Sequence, residues 1–319
     1  MNSKTLTFCQ VSLSRDIPII KQNYDSLKRF YKDIKINVIC PKSDLEVFKK
    51  NLNFKEFNFF NEEEIISFKE FSNIFDKIFI QSLFKDKMKN RLQWYYQQIL
   101  KITFVINFIK NENKRIIIWD ADTIILKKIN FFKNDYSIKY GSLFECHMPY
   151  FRTTESIFGY LPKYYISSLT QFISMTKKEC DFFLRLLKIE DIYSKDLAIT
   201  LSNIILSNIF INHKTFSSSL FSEYELIGIS NILTNKIKQK AIFTLRSSLS
   251  GQLTKNQFLL AKILNTYHVT YEHAHLNTNS KGMLDRNQNW FLFIKILIKF
   301  YPRFVFKKII HNLKYFLIN

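Results

Sequence analysis

The first fifty residues alternate between strand-like and helix-like hydrophobic patterns, and this alternation constrains the fold more than any other feature. An apolar run rich in β-forming residues predicts a strand over Thr5–Val11. Helical spacing predicts a helix from its N-cap, Asp16, to about Tyr31. A second strand is predicted over Ile34–Cys40, and Ser43 with Glu46 predicts a capping box for the next helix. This order is typical of a mostly parallel sheet with crossover helices.

The rest of the chain continues the same pattern less regularly. We expect helices over residues 93–110, 177–188 and 191–208, strands over residues 115–119, 141–145 and 167–175, and a strand and a helix near 256–264. The predicted fold class is therefore α/β, with a Rossmann-like, mostly parallel sheet flanked by helices. We predict a catalytic domain over residues 1–285 and a basic, aromatic segment over residues 286–319.

Composition limits the partners that the chain can have. The 319 residues are 47% hydrophobic, which is enough for a packed core. The formal charge of +20 favours an anionic partner, such as a membrane or a phosphorylated substrate, although a lysine-rich solvated surface gives the same number. No zinc-finger spacing, RNP-type aromatic signature or basic zipper occurs, so nucleic acid is not expected as a partner.

Four cysteines and the hydrophobicity profile predict a cytoplasmic protein. Cys9, Cys40, Cys146 and Cys180 are far apart and form no CxxC pair, which is typical of reduced thiols. The N-terminal apolar run is too short for a signal peptide, and no stretch of about eighteen apolar residues predicts a spanning helix.

Two aspartates follow the apolar segment Arg115–Trp119 directly. Carboxylates at the end of a buried strand repel each other and lose hydration, so they usually persist there because a cation or a positive substrate group neutralises them. Asp120 and Asp122 in one turn would offer oxygen ligands that suit Mg²⁺ or Mn²⁺. Such an ion would neutralise a departing diphosphate. The alternative is an ordinary turn in which both side chains cap backbone N–H groups.

Three motifs carry a resemblance to a known family. They are Trp-Asp-Ala-Asp at residues 119–122, Trp-Tyr-Tyr-Gln-Gln-Ile-Leu-Lys at residues 94–101, and Ser-Glu-Tyr-Glu at residues 222–225. In this order they resemble bacterial GT-A-type glycosyltransferases associated with polysaccharide and lipopolysaccharide synthesis, over roughly residues 5 to 275. The resemblance implies a GT-A-like fold, a nucleotide-sugar donor, and a surface-glycan or lipid-linked acceptor.

The resemblance also implies roles for individual residues. Asp122 would bind a divalent metal, Mn²⁺ or Mg²⁺, and Asp120 would contact the donor ribose or the metal. A histidine near the end of the domain often completes the metal site of such enzymes. His268, His273 and His275 are available here, and we favour His273 or His275.

Further candidates lie in the other two motifs. Lys101 would contact donor phosphates, and Gln98 would orient a sugar or order the aspartate turn; the alternative places both at the solvated rim of a packed helix. Asp16 is also a donor-binding candidate. Glu223 is the candidate general base of an inverting reaction, taking a proton from the acceptor hydroxyl. Alternatively, Glu223 or Glu225 caps a helix and pairs with one of the many lysines.

The segment from Trp290 to Asn319 predicts attachment to a membrane surface. It lacks Asp and Glu and carries basic residues every fourth position from Lys295 to Lys307, among Phe, Leu and Ile. This pattern is typical of an amphipathic helix in an anionic interface, so we expect a peripheral protein on the inner face of the cytoplasmic membrane. A helix packed on the domain is the alternative.

Two other functions compete with sugar transfer. A nucleotidyltransferase with a related fold would use the same carboxylates but usually needs a glycine-rich N-terminal loop, and Val11–Asp16 has no glycine. A non-catalytic, membrane-associated basic binding protein would leave the aspartate pair unexplained.

Overall fold

The computed structural model describes residues 5–112, 114–142, 145, 147–161, 166–190, 194–213, 219–234, 238–247, 261 and 266–271. The chain divides into two compact units. The first consists of Met1–Pro18, Tyr31–Ala121 and Asn130–Ala241, and the second of Ile19–Phe30, Asp122–Ile129 and Ile242–Asn319.

Strands and helices alternate along the described chain. The strands are β1 (Leu6–Val11), β2 (Ile34–Cys40), β3 (Phe57–Asn61), β4 (Ile116–Trp119), β5 (Thr123–Ile125), β6 (Phe132–Lys133), β7 (Tyr136–Ser137), β8 (Tyr140–Ser142), β9 (Phe172–Met175), β10 (Lys240–Ile242), β11 (Leu245–Ser247) and β12 (His268–Tyr271). The helices are α1 (Ile17–Lys28), α2 (Leu45–Asn51), α3 (Phe68–Ile78), α4 (Lys85–Lys89), α5 (Leu92–Glu112), α6 (Met148–Phe158), α7 (Lys177–Leu186), α8 (Ser194–Asn212) and α9 (Glu223–Thr234).

A five-stranded sheet with the order β3-β2-β1-β4-β9 forms the centre of the first unit. Its first four strands are parallel, and β9 is antiparallel to β4. Phe8 on β1 lies opposite Ile36 on β2 and Ile117 on β4, and all three side chains are fully buried. Apolar strands of this kind fit a parallel sheet that is covered on both faces. The predicted α/β class, with a mostly parallel sheet flanked by helices, is confirmed.

Helix α5 covers one face of this sheet, and an aromatic cluster lies on the other. Most side chains of α5 are buried on more than one side, as expected for a helix between a sheet and other helices. Phe104 of α5 contacts Phe60 of β3 with ring centroids 4.8 Å apart. On the opposite face, Trp119 stacks on Phe172 at 5.4 Å. The strand that directly precedes Asp120 is therefore packed on both of its faces.

The second unit contains a small sheet of three strands. Strand β11 is parallel to β12, and β12 is antiparallel to β5. The Thr123 and Thr270 hydroxyls are hydrogen-bonded at 2.8 Å, and Asn23 of α1 donates its side-chain amide to the Thr123 carbonyl at 2.5 Å. These contacts hold the segment that begins at Asp122.

Several predicted element boundaries are wrong. Helix α1 ends at Lys28 and not at about Tyr31; Asp16 is the residue directly before this helix and also ends a 3-10 turn, Ser14–Asp16, where its carboxylate accepts the Leu13 backbone N–H at 3.2 Å. Helix α2 starts at Leu45, and no side-chain hydrogen bond from Ser43 caps it. Residues 167–171 precede β9 as a loop, in which the Ser167 hydroxyl and the Ser168 N–H bond to Glu225 of α9 and the Ser167 carbonyl accepts the Ser142 N–H of β8.

Other predictions fall outside the described residues. These are most of the strand and helix near 256–264, the domain boundary at 285, and the segment 286–319. Among the helices in the described part, none has the length and apolar character needed to cross a bilayer.

Candidate functional site

Asp120 lies at a position where parallel α/β sheets commonly bind ligands. The strand order reverses at β1, which has β2 on one side and β4 on the other. Ligands of such sheets bind beyond the carboxyl ends of the strands at this switch point. Asp120 directly follows β4, and its backbone N–H donates to the Gln171 carbonyl at 3.0 Å. Its carboxylate is 23% exposed, so it remains open to a ligand.

Lys101 of α5 joins Asp120 to a second carboxylate. Its ammonium lies 2.6 Å from Asp120 Oδ1 and 2.7 Å from Glu223 Oε1. The side chains of Lys101 and Glu223 are 11% and 3% exposed. A helix, a strand end and the first residue of α9 thus bring three charges together, with two carboxylates around one ammonium and a net charge of −1.

Mutual attraction controls the protonation of this cluster. Burial alone would lower the pKa of Lys101, but the nearby Asp120 and Glu223 carboxylates outweigh it and raise that pKa above its usual range. Burial raises the pKa of Glu223, while Lys101 opposes the rise and Asp120 adds to it. Lys101 therefore stays a cation, and Glu223 binds its proton more tightly than a solvent-exposed glutamate does.

Gln98 fixes the start of α9. Its side-chain oxygen accepts the Glu223 backbone N–H at 3.0 Å, and its amide donates to the Trp94 carbonyl at 3.5 Å. As whole residues, Gln98 is 2% exposed and Lys101 is 9% exposed. The alternative that these two residues lie at the solvated rim of the helix is therefore wrong. Of the alternative for Glu223, the ion pair with a lysine is seen, and Glu223 is the first residue of α9.

Asp16 follows β1, the strand next to β4. Its carboxylate accepts hydrogen bonds from the Ser12 hydroxyl at 3.0 Å and from the Leu13 backbone, and Arg15 Nε lies 3.8 Å away. These contacts order the loop at the switch point. The donor-binding role of Asp16 stays a prediction.

The predicted metal ligands are only partly described. Among the described residues, no group of three or more His, Cys, Asp and Glu side chains is arranged to hold a metal. Asp122 lies in the second unit directly before β5, and β5 pairs with β12, which starts at the buried His268. His273 and His275 lie outside the described residues. Asp122 supplies an oxygen donor of the kind that Mn²⁺ or Mg²⁺ prefers.

Two further residues lie near the site, of which Gln171 was not predicted from the sequence and Glu225 was named only as part of the motif at residues 222–225. Gln171 has a φ of 56°, is 4% exposed, and holds the Asp120 N–H through its carbonyl. A buried non-glycine residue in this left-handed region is uncommon and is often found at functional sites. Glu225 is fully buried and accepts hydrogen bonds from the Ser167 hydroxyl and the Ser168 N–H. No local pattern marks Gln171, and the motif does not reveal the contacts of Glu225, because both roles depend on contacts between distant segments.

A separate groove of about 1180 Å³ lies near the amino ends of the parallel strands, whereas the carboxylate cluster lies at their carboxyl ends. It is lined by residues at the starts of β1 and β2, including Thr7 and Asn37, and by the end of α5. From Arg115 to Asp120 the chain runs along β4 for about 17 Å, so this groove is distinct from the carboxylate cluster.

No family profile matches the chain, and no curated protein sequence matches it. Solved structures of glycosyltransferases do align with it. The galactosyltransferase LgtC, in complex with donor and acceptor sugar analogues, is 9% identical over 91% of this chain and 94% of that chain, with a TM-score of 0.44. Mouse xyloside xylosyltransferase 1 is 12% identical over 85% and 99%, with a TM-score of 0.39. The bifunctional glycosyltransferase WbbM is 9% identical over 88% of this chain but 47% of its own, with a TM-score of 0.34. At this level of similarity, the function has to be argued from the side chains of this chain.

Proposed function

We propose that the chain is a glycosyltransferase that moves a sugar from a nucleotide-sugar donor to a surface-glycan or lipid-linked acceptor. The observation that carries this proposal is the meeting of Asp120, Lys101 and Glu223 at the carboxyl ends of parallel strands. A buried cation beside carboxylates suits a ligand that combines phosphates with hydroxyl groups. The cation attracts phosphate, and the carboxylates accept hydrogen bonds from hydroxyl groups.

Each residue has a proposed role in this reaction. Lys101 attracts the donor phosphates, and Asp120 accepts a hydrogen bond from the ribose. Gln98 holds the first residue of α9 in place, and Asp16 orders the neighbouring loop on the donor side. Glu223 is the proposed general base for the acceptor hydroxyl, and the direction of its pKa shift supports it, since a base works best when its pKa lies near the working pH.

A divalent metal, Mn²⁺ or Mg²⁺, is proposed beside Asp122, where it would stabilise the charge of the departing diphosphate. The pairing of β12 with β5 supports a histidine ligand. Thr270 lies opposite Thr123, so the end of β12 lies beside the residue that directly follows Asp122. His273 comes two positions after Tyr271 in the sequence, and His275 two positions later.

The test is a panel of nucleotide-sugars with Mn²⁺ or Mg²⁺, with and without a bacterial lipid extract as acceptor, and nucleoside diphosphate release as the readout. We expect release from one donor, loss of release on chelation, and loss in Asp122→Ala. The matched control is Asp25→Ala, which removes an exposed carboxylate from α1. Metal-independent release by Asp122→Ala would contradict the metal role. Pyrophosphate release from a nucleoside triphosphate would instead identify a nucleotidyltransferase.

A further inference from the structure

A short loop after α3 presents two aliphatic side chains to solvent. The loop runs from Phe79 to Phe84, and both phenylalanines are buried with ring centroids 6.0 Å apart. Between them, Ile80 is 73% exposed and Leu83 is 102% exposed. Buried aromatic residues at both ends fix the loop, so these aliphatic groups are held outward at a cost in hydration.

The end of α8 extends the same apolar surface. The Phe79 ring contacts the Phe210 ring edge-on at 5.5 Å, which places the end of α8 beside the loop. Phe210 is 39% exposed, and the next residue, Ile211, is 71% exposed. Single exposed apolar residues are ordinary, but four on two adjacent segments form a patch of the kind found at interaction sites. We call Ile80, Leu83, Phe210 and Ile211 the apolar tip.

Basic residues directly follow the loop of the apolar tip in the sequence. Residues 77–91 contain five basic residues and one acidic residue, Asp86. Lys87, Lys89 and Arg91 are exposed, whereas Met88 between them is buried, so α4 directs its charges outward. Lys85 is paired with Asp76 at 2.8 Å. The segment that carries Ile80 and Leu83 is thus net positive, in a chain whose total formal charge is +20.

We propose that the apolar tip inserts into the surface of an anionic lipid bilayer while Lys87, Lys89 and Arg91 contact the lipid headgroups. Protruding aliphatic side chains with a basic border fit an interface in which the apolar part enters the acyl boundary and the charges stay at headgroup level. A protein partner for this surface would need a groove to receive Leu83 and acidic groups to match the lysines. This surface lies on the first unit and does not depend on the proposed function or on residues 286–319.

The test measures sedimentation of the full chain with phosphatidylcholine vesicles and with equimolar phosphatidylglycerol and phosphatidylcholine vesicles. The variant Ile80→Ser/Leu83→Ser/Ile211→Ser should lower the partition coefficient onto anionic vesicles by at least about tenfold, since each buried aliphatic group contributes several-fold. Each contact of one molecule with a vesicle multiplies its partition coefficient. The loss is therefore measurable even if another segment of the chain also binds the vesicle. Val47→Ser, at an exposed valine of α2, is the matched control and should change nothing.

A second pair of variants tests the basic border. Lys87→Gln/Lys89→Gln/Arg91→Gln should lower binding to anionic vesicles by about fivefold for each charge and should leave neutral vesicles unaffected. The control removes three exposed lysines elsewhere, in Lys42→Gln/Lys49→Gln/Lys50→Gln, and should have a smaller effect.

Three outcomes would overturn the proposal. The first is unchanged partitioning of the serine variant, and the second is equal binding to neutral and anionic vesicles. The third is a serine variant that changes only the elution volume in size exclusion, which would assign the apolar tip to a protein contact. Leu83→Asp, at a fully exposed position, repeats the test without altering α8.

Discussion

Lys101 is the residue that links the helical and strand parts of the carboxylate cluster. It lies within 2.7 Å of oxygens on Asp120 and Glu223, and the Tyr224 ring centre lies 5.3 Å from its ammonium. Removing one member of a buried ion pair is far more harmful than removing both, because the remaining charge loses its partner without regaining water. At this site, conservative substitutions therefore distinguish an effect on catalysis from an effect on folding better than substitutions to alanine do.

Glu223→Gln tests the general base. We expect turnover to fall by about a hundredfold or more with little change in donor KM, since the amide cannot accept the proton of the acceptor hydroxyl. Steady-state kinetics across pH check this, and the wild type should lose activity on the acid side as Glu223 gains a proton. If donor KM rises while kcat is kept, Glu223 acts by positioning Lys101 and is not the base.

Glu225 should make the protein less stable as the pH rises. Burial raises its pKa from 4.5 to about 8, and the Ser168 N–H bond opposes the rise. Between these two values the folded protein binds more protons than the unfolded chain, so stability falls with increasing pH in that window. Glu225→Gln cannot ionise, and its amide and carbonyl match Ser167 and Ser168.

We expect Glu225→Gln to be more stable than the wild type at pH 8 by about 4 kcal/mol, with the difference falling below about 1 kcal/mol near pH 5. Urea unfolding at both pH values measures this. Glu190→Gln, an exposed glutamate after α7, is the control. A constant difference across the range would show that Glu225 does not titrate in the folded state.

The residues of the carboxylate cluster could be named from the sequence, but their contacts could not. Gln98, Lys101, Asp120 and Glu223 all lie in motifs, yet Lys101 and Glu223 are 122 positions apart and no spacing rule relates them. Gln171 was missed because it lies inside an apolar, strand-like run, and its backbone conformation depends on the neighbouring Asp120. Its unusual φ is a tertiary effect that overrides local preference.

At the scale of elements, regular periodicity determined which predictions succeeded. Strand β2 has the predicted limits, and α5 differs from the predicted helix by a few residues at its ends. Residues 51–90 have no regular period, and the structure nevertheless contains β3 and α3 there. Helix α3 starts at a capping box of Ser67 and Glu70. This box was not predicted because the surrounding phenylalanines gave no clear helical period.

Helix α9 depends on close packing at Gly228. A Cβ on this residue would overlap the Ser168 side chain and lie 3.6 Å from Ile173. Gly228→Ala should therefore lower stability by about 1–3 kcal/mol and displace the helix that carries Glu223. Equilibrium urea unfolding and turnover measure the two effects.

A double-mutant cycle separates this clash from the general cost of removing a glycine. Ser168→Gly removes the opposing side chain and keeps the N–H that Glu225 accepts, so Ser168→Gly/Gly228→Ala should recover much of the loss. Gly159 provides the control. It ends α6 at a φ of 71° with open space around its Cβ position, so Gly159→Ala should cost about 1 kcal/mol that Ser168→Gly does not recover. Equal recovery in both cycles would rule out the specific contact.

At the scale of the whole molecule, the positive charge is concentrated in particular segments of the chain. The charge cluster around Lys101 is net negative, whereas the segment beside the apolar tip and residues 290–319 are both basic. A uniform lysine-rich surface would bind anionic vesicles weakly, and the loss of binding would be the same wherever a lysine is removed. Local basic and apolar surfaces predict instead that a few substitutions remove most of the binding.

Removal of residues 290–319 tests the C-terminal part of this distribution. The segment contains no Asp or Glu and places Lys295, Lys299, Arg303 and Lys307 at regular spacing among aromatic and aliphatic residues. Each basic residue near an anionic surface contributes about 1 kcal/mol, so the shortened chain should stay soluble and keep only the weaker binding of the apolar tip. Raising the salt concentration should reduce binding of the intact chain more than that of the shortened one, because more charges are screened. Vesicle sedimentation at two salt concentrations measures both effects. Aggregation of the shortened chain, with unchanged vesicle affinity in its soluble fraction, would identify the segment as a helix packed on the core.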